Sequence, residues 1–155
     1  MKKAASVLMA TAASALCALG LAGGQPGLQQ DSDLTQAQNN VKALGVSIMM
    51  YATDYDDRLP YAASTEAIKR QVYPYCKKMS LWKHPVRGEV LYNTSLSGVN
   101  FFRYENPGQT MMLWEKNATS GLRVTCSVNA FVKTLTDAGW KNAWEAELKR
   151  RKSKK

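Results

Sequence analysis

Histidine occurs once in the 155 residues, at His84, and cysteine only three times, at Cys17, Cys76 and Cys126. That excludes a multi-histidine metal site, and with no thiol or second imidazole beside it His84 is expected at the surface or in a loop. There is no Gly-x-Ser-x-Gly elbow, glycine-rich phosphate loop or Cys-x-x-Cys pair. The usual nucleophile–base, nucleotide and redox chemistries therefore have no residues to work with. One acidic cluster remains, Asp54, Asp56 and Asp57, which could hold a hard cation or supply an acid or base. Its spacing fits no calcium loop, and solvation of a helix end with a local pair to Arg58 accounts for it more simply. The chain reads as non-enzymatic, with no catalytic residue, metal or cofactor.

Charge is also scarce where a core is expected. The whole chain carries +9; without Lys2 and Lys3, nineteen basic and twelve acidic residues leave +7. Six of those positive charges sit in the last seven positions, at Lys149, Arg150, Arg151, Lys152, Lys154 and Lys155. The basicity thus belongs to a tail, residues 149–155. It reads either as a solvated end or as an electrostatic docking site for anionic polymer, whether lipid headgroups, envelope polysaccharide or nucleic acid.

What the sequence does hold begins with Lys2 and Lys3 ahead of an uncharged Ala- and Leu-rich run ending in small residues near position 24. Residues 1–24 read as a secretory signal peptide, which makes the protein exported, periplasmic or extracellular, with no transmembrane span after its removal. The run is mostly small residues, poorly suited to a retained membrane helix. Residues 25–33 lack periodicity and are expected to form a flexible lead-in. Cys76 and Cys126 are then the remaining thiols, and an oxidising compartment favours pairing them in one disulfide; two separately buried thiols is the alternative.

The domain, residues 34–148, opens with Leu34, Ala37, Val41, Leu44, Ile48, Ala52 and Tyr55 three and four apart. This spacing predicts an amphipathic helix that needs a sheet beneath it, ending before Pro60, which keeps Leu59 out of the helical region. A short helix follows, capped by Ser64 or Thr65 with Ile68 and Val72 on one side. Residues 89–92, 99–104, 110–115, 122–128 and 131–135 read as strands of an antiparallel meander. Ala130 is a poor residue for a tight turn between the last two, which points to a looser one. A final helix from Thr136 or Asp137 places Trp140, Trp144 and Leu148 on one face, for docking on the sheet or, alternatively, as a ligand platform. The fold class is α+β: a long N-terminal helix on an antiparallel sheet, with a C-terminal helix.

Several segments resemble one family. Residues 39–45 and 50–60, with Asp54, Tyr55, Asp56, Arg58 and Pro60 at the helix end, are similar to the region after the membrane helix in prepilin-like, type II secretion pseudopilin-related proteins, abundant in planctomycete- and armatimonad-type bacteria. Residues 73–75 with 82–85, residues 106–113, and residues 123–133 with Trp140 resemble their later segments in the same order. The resemblance spans roughly residues 38–144 and implies a pilin-like head. An ordinary signal peptide stands in place of the family's polymerisation helix. Ala37 and His84 occupy positions where relatives often carry cysteine, Asn129-Ala130 replaces an Asp-Gly turn, and Thr119 replaces a histidine. The implied role is a structural or interaction protein of the cell envelope, linked to type II secretion or pilus-type machinery. Its expected partner is an envelope protein, an anionic polymer or a second copy of the chain. The alternative is a basic module binding nucleic acid or anionic envelope polymer through the tail.

Overall fold

An apolar stripe on a long helix is stable only when something covers it. In the computed structural model, which describes residues 26–152 with side chains from residue 30, that cover is a five-stranded sheet. Helix α1 (Pro26–Asp54) lays Ala37, Val41, Leu44, Ile48 and Ala52 against it, all buried. The described part of the helix starts at Pro26, so residues 26–33 of the expected flexible lead-in 25–33 are helical instead. The proposed signal peptide lies outside the described residues.

Helix α2 (Thr65–Cys76) is capped by Ser64, whose hydroxyl accepts the Ala67 N–H at 3.2 Å, and turns Ile68 and Val72 inward. Lys77 closes it in the left-handed conformation, its N–H bonded to the Tyr73 carbonyl. The sheet follows as β1 (Lys83–His84), β2 (Gly88–Tyr92), β3 (Met111–Glu115), β4 (Leu122–Ser127) and β5 (Val132–Thr136), each antiparallel to its neighbour in chain order. The antiparallel meander is as expected, but β1 is not among the expected strands and residues 99–104 do not join it. Helix α3 (Asp137–Lys152) closes the chain, with the Thr136 hydroxyl accepting the Gly139 N–H at 3.1 Å.

Strand alternation gives β4 two different faces. Val124 and Cys126 face α1, which approaches so closely at Gly45 that a Cβ there would lie 2.7 Å from the Cys126 sulfur. Arg123 faces α3, where Trp114 of β3 packs with Trp140 and Trp144 at ring separations of 6.3 and 5.0 Å. The tryptophans dock the helix on the sheet, whereas Leu148 of the same predicted stripe is exposed.

Four expectations are corrected here. Residues 99–104 form no strand: Phe101–Arg103 is a 3₁₀ turn, because Asn100 caps it through the Phe102 N–H and residues 98–101 spend their backbone groups on residues 57–59. Cys76 and Cys126 are both free; Cys126 lies buried between α1 and β4, while Cys76 ends α2 beside the Tyr73 and Lys78 carbonyls. His84 is buried: its Nδ1 accepts the Val86 and Arg87 N–H groups at 3.2 Å each, which leaves Nε2–H to donate to Gln36 at 3.0 Å. Ala130 does take a left-handed conformation (φ 58°), its buried methyl under Gly45 and its carbonyl accepting Lys42 Nζ at 2.9 Å.

Candidate functional site

Acidic residues at the end of a helix oppose its dipole, so a run of three aspartates there calls for a reason. Helix α1 ends at Asp54; Asp56 and Asp57 then both adopt left-handed backbone conformations (φ 53° and 57°), which aspartate tolerates better than most residues. This double turn aims the backbone at residues 98–101. Phe101 N–H donates to the Asp57 carbonyl at 2.7 Å, Leu59 N–H to the Val99 carbonyl at 3.0 Å, and Gly98 N–H returns to the Leu59 carbonyl at 3.1 Å. Side chains reinforce the clasp: Arg58 Nη1 donates to the Gly98 carbonyl at 3.3 Å, and Asn100 Nδ2 to the Asp56 carbonyl at 3.3 Å. Pro60 is buried directly after it.

The motif residues therefore meet at one end of the molecule as a clasp between the long helix and a loop. Asp54 Oδ2 accepts the Tyr75 hydroxyl at 2.7 Å, and this bond, with smaller help from burial, raises the phenol to about 12. Tyr55, expected in the buried stripe, is instead half exposed and stacks on Tyr51 at 4.2 Å, while Tyr75 meets Tyr51 edge-on at 5.9 Å. Tyr51 is the residue that sequence periodicity missed: it is 8% exposed, and burial raises its pKa. Its place one position before Ala52 would extend the apolar stripe sideways, which is the signal that could have found it.

Tyr61 comes to the same place from the far side of Pro60. Its ring lies on Gly98, where a Cβ would come within 2.2 Å of Cε1, and Gly98 also needs φ +63°. Tyr51, Tyr55, Leu59 and Tyr61 wall a cleft of about 150 Å³, with Asp56 and Arg58 at its rim. Arg58 also borders a second depression, beside Asn100, Phe102 and Arg103. Tyr61 and Phe102 are 63% and 73% exposed, so this end presents aromatic rings to solvent with charges of both signs between them.

The proposed polyanion-binding tail is only partly a tail. Helix α3 runs through Lys152, and two of its arginines turn back on the domain. Arg150 donates to the Gln109 carbonyl at 3.2 Å and pairs with Glu147 at 2.9 Å. Arg151 binds Glu147 at 2.8 Å and the Ser95 hydroxyl. They staple the helix end to loops that precede β3. Lys149 and Lys152 are exposed, and Lys154 and Lys155 lie outside the described residues.

Among the described residues no group of three or more His, Cys, Asp or Glu is placed to hold a metal ion, and no helix is long and apolar enough to cross a membrane. No protein-family model, curated protein or solved structure matches this chain.

Proposed function

We propose that this chain is an exported, non-enzymatic, pseudopilin-like structural or interaction protein of the bacterial cell envelope, linked to type II secretion or pilus-type machinery. The observation that supports this most is the use the fold makes of the residues carrying the resemblance. Asp54, Asp56, Arg58 and Pro60 end a helix laid across an antiparallel meander and clasp a loop to it, leaving tyrosines outside. A helix buried along five positions and locked at its end is a stiff spine. Exposed Tyr and Phe held on such a support lose little freedom on contact, which is what a docking surface needs.

The test is fractionation of the host followed by chemical cross-linking and intact-mass analysis. The expected result is a protein recovered outside the cytoplasm, its mass beginning near residue 25, cross-linked to an envelope component. A cytosolic protein that retains Met1 and cross-links to nothing would overturn the reading. The second reading, a basic module for nucleic acid or anionic polymer, rests on the exposed Lys149 and Lys152 with Lys154 and Lys155 beyond them. Because Arg150 and Arg151 are engaged internally, four lysines remain, and the log affinity for DNA would fall with log salt at a slope of roughly −3 to −4. Absence of binding at low salt removes this second reading.

A further inference from the structure

The aromatic–acidic end of α1 and the basic end of α3 lie on either side of one loop. Residues 94–104 receive Arg151 through the Ser95 hydroxyl, and Gly98 of the same loop sits under the Tyr61 ring. On one side are Asp54, Asp56 and Asp57 with a tyrosine-walled cleft, whose rim also carries Arg58, its guanidinium bonded to the Gly98 carbonyl; on the other are the exposed Lys149 and Lys152. The cleft is built rather than incidental. Tyr51 is nearly all buried in its wall and is held there by the stacked Tyr55 ring and the edge of Tyr75. Aromatic faces beside carboxylates are the surroundings that attract an ammonium group, through cation–π attraction and charge.

We propose that this end of the molecule pairs with a second copy of the chain in a two-fold dimer, the lysines at the end of α3 in each copy lying on the tyrosine–aspartate cleft of the other. A surface carrying opposite charges side by side is complementary to itself when rotated by a half turn, so one axis satisfies both contacts at once. Tyr61 and Phe102, the most exposed rings of this end, supply apolar contact of the residue types that dominate interface energetics. The dimer rests on the interaction-protein reading above and names its partner.

The test is sedimentation of the purified protein, in the form its host produces, at low and high salt, with Lys152→Glu, Asp56→Lys and Tyr61→Ser variants checked for folding by circular dichroism. Lysine is tolerated in the left-handed conformation elsewhere in this chain, at Lys77 with φ 52°. The expected result is a dimer that weakens with salt, as screening requires, and weakens at least about tenfold in each variant. Lys152→Glu mixed with Asp56→Lys should recover a mixed dimer tighter than either variant forms alone, because each contact again joins opposite charges. A monomer at every concentration, a dimer indifferent to salt and to Lys152→Glu and Tyr61→Ser, or a mixture no tighter than its components would each overturn the proposal. A monomer that still cross-links to envelope material would overturn the dimer alone and leave the envelope reading standing.

Discussion

Two arginine–glutamate clusters hold this molecule together, and they differ chiefly in where the arginines end. Arg87 and Glu115 are 2% and 1% exposed and meet through two parallel bonds, Nε to Oε1 at 2.7 Å and Nη2 to Oε2 at 2.8 Å. Their remaining capacity is used inside the protein: Val124 N–H donates to Glu115 Oε2 at 2.7 Å, and Arg87 Nη2 reaches the Leu122 carbonyl at 2.9 Å. Glu147 is also buried, but Arg150 and Arg151 extend from it into solvent. The first cluster ties the approach to β2, β3 and β4 together beneath the surface. The second fastens a helix end whose charges remain hydrated. A buried pair of the first kind stabilises little relative to an apolar replacement, yet breaking it strands a charge; a half-exposed pair yields to water.

That contrast orders the expected effects. Glu115→Ala should destabilise the fold most, by about 3–5 kcal/mol in urea unfolding, because Arg87 is left charged and buried. Replacing both partners together, Arg87→Met with Glu115→Leu, should recover most of that loss; equal losses in the single and double variants would show that the pair itself, not the stranded charge, matters. Glu147→Gln should cost only about 1 kcal/mol, with Arg150 and Arg151 turning to water, and the effect should shrink with added salt. A loss matching that of Glu115→Ala would erase the distinction between the clusters.

A smaller effect concerns Asp137, which receives hydrogen bonds from Arg123 and Lys141 that hold its carboxyl below the ordinary value of 3.8. Its contribution is present above that value and is lost as the pH falls through the depressed one. Asp137→Asn should therefore melt slightly lower than the parent near neutrality and converge with it as the pH falls, which flattens the acid limb of its melting-temperature profile. The cysteines show the same contrast of burial without touching stability. Burial pushes the Cys126 thiol up to about 12, whereas Cys76 is partly exposed. Of Cys76 and Cys126, alkylation of the native, unreduced protein should label Cys76 alone, and Cys126 only after unfolding; no label at either before reduction would restore the disulfide.

Much of the scaffold was legible because its signals are local. Val41, Leu44 and Ile48 announce a helix face by spacing, and residues 110–115 and 122–128 announce strands by their β-branched and aromatic content. Residues 99–104 carry the same aromatic content yet form no strand, since the groups that claim their backbone lie forty residues earlier at 57–59. The two-residue β1 has no pattern long enough to read. At the candidate site, Asp54 to Pro60 stood out, but Tyr51, Tyr61 and Phe102 did not, because they gather from three segments.

Sequence alone thus determined the α+β class, the spine helix, an antiparallel meander and a last helix starting at Thr136 or Asp137, each a matter of periodicity, caps and turn residues within a few positions. Only the tertiary structure decided that Cys76 and Cys126 stay apart, that the lone histidine is buried, that two tail arginines fasten the last helix, and that an aromatic cleft forms at the end of α1. Those outcomes depend on which distant groups compete for the same thiol, imidazole, guanidinium or backbone amide, and that competition exists only once the chain has packed.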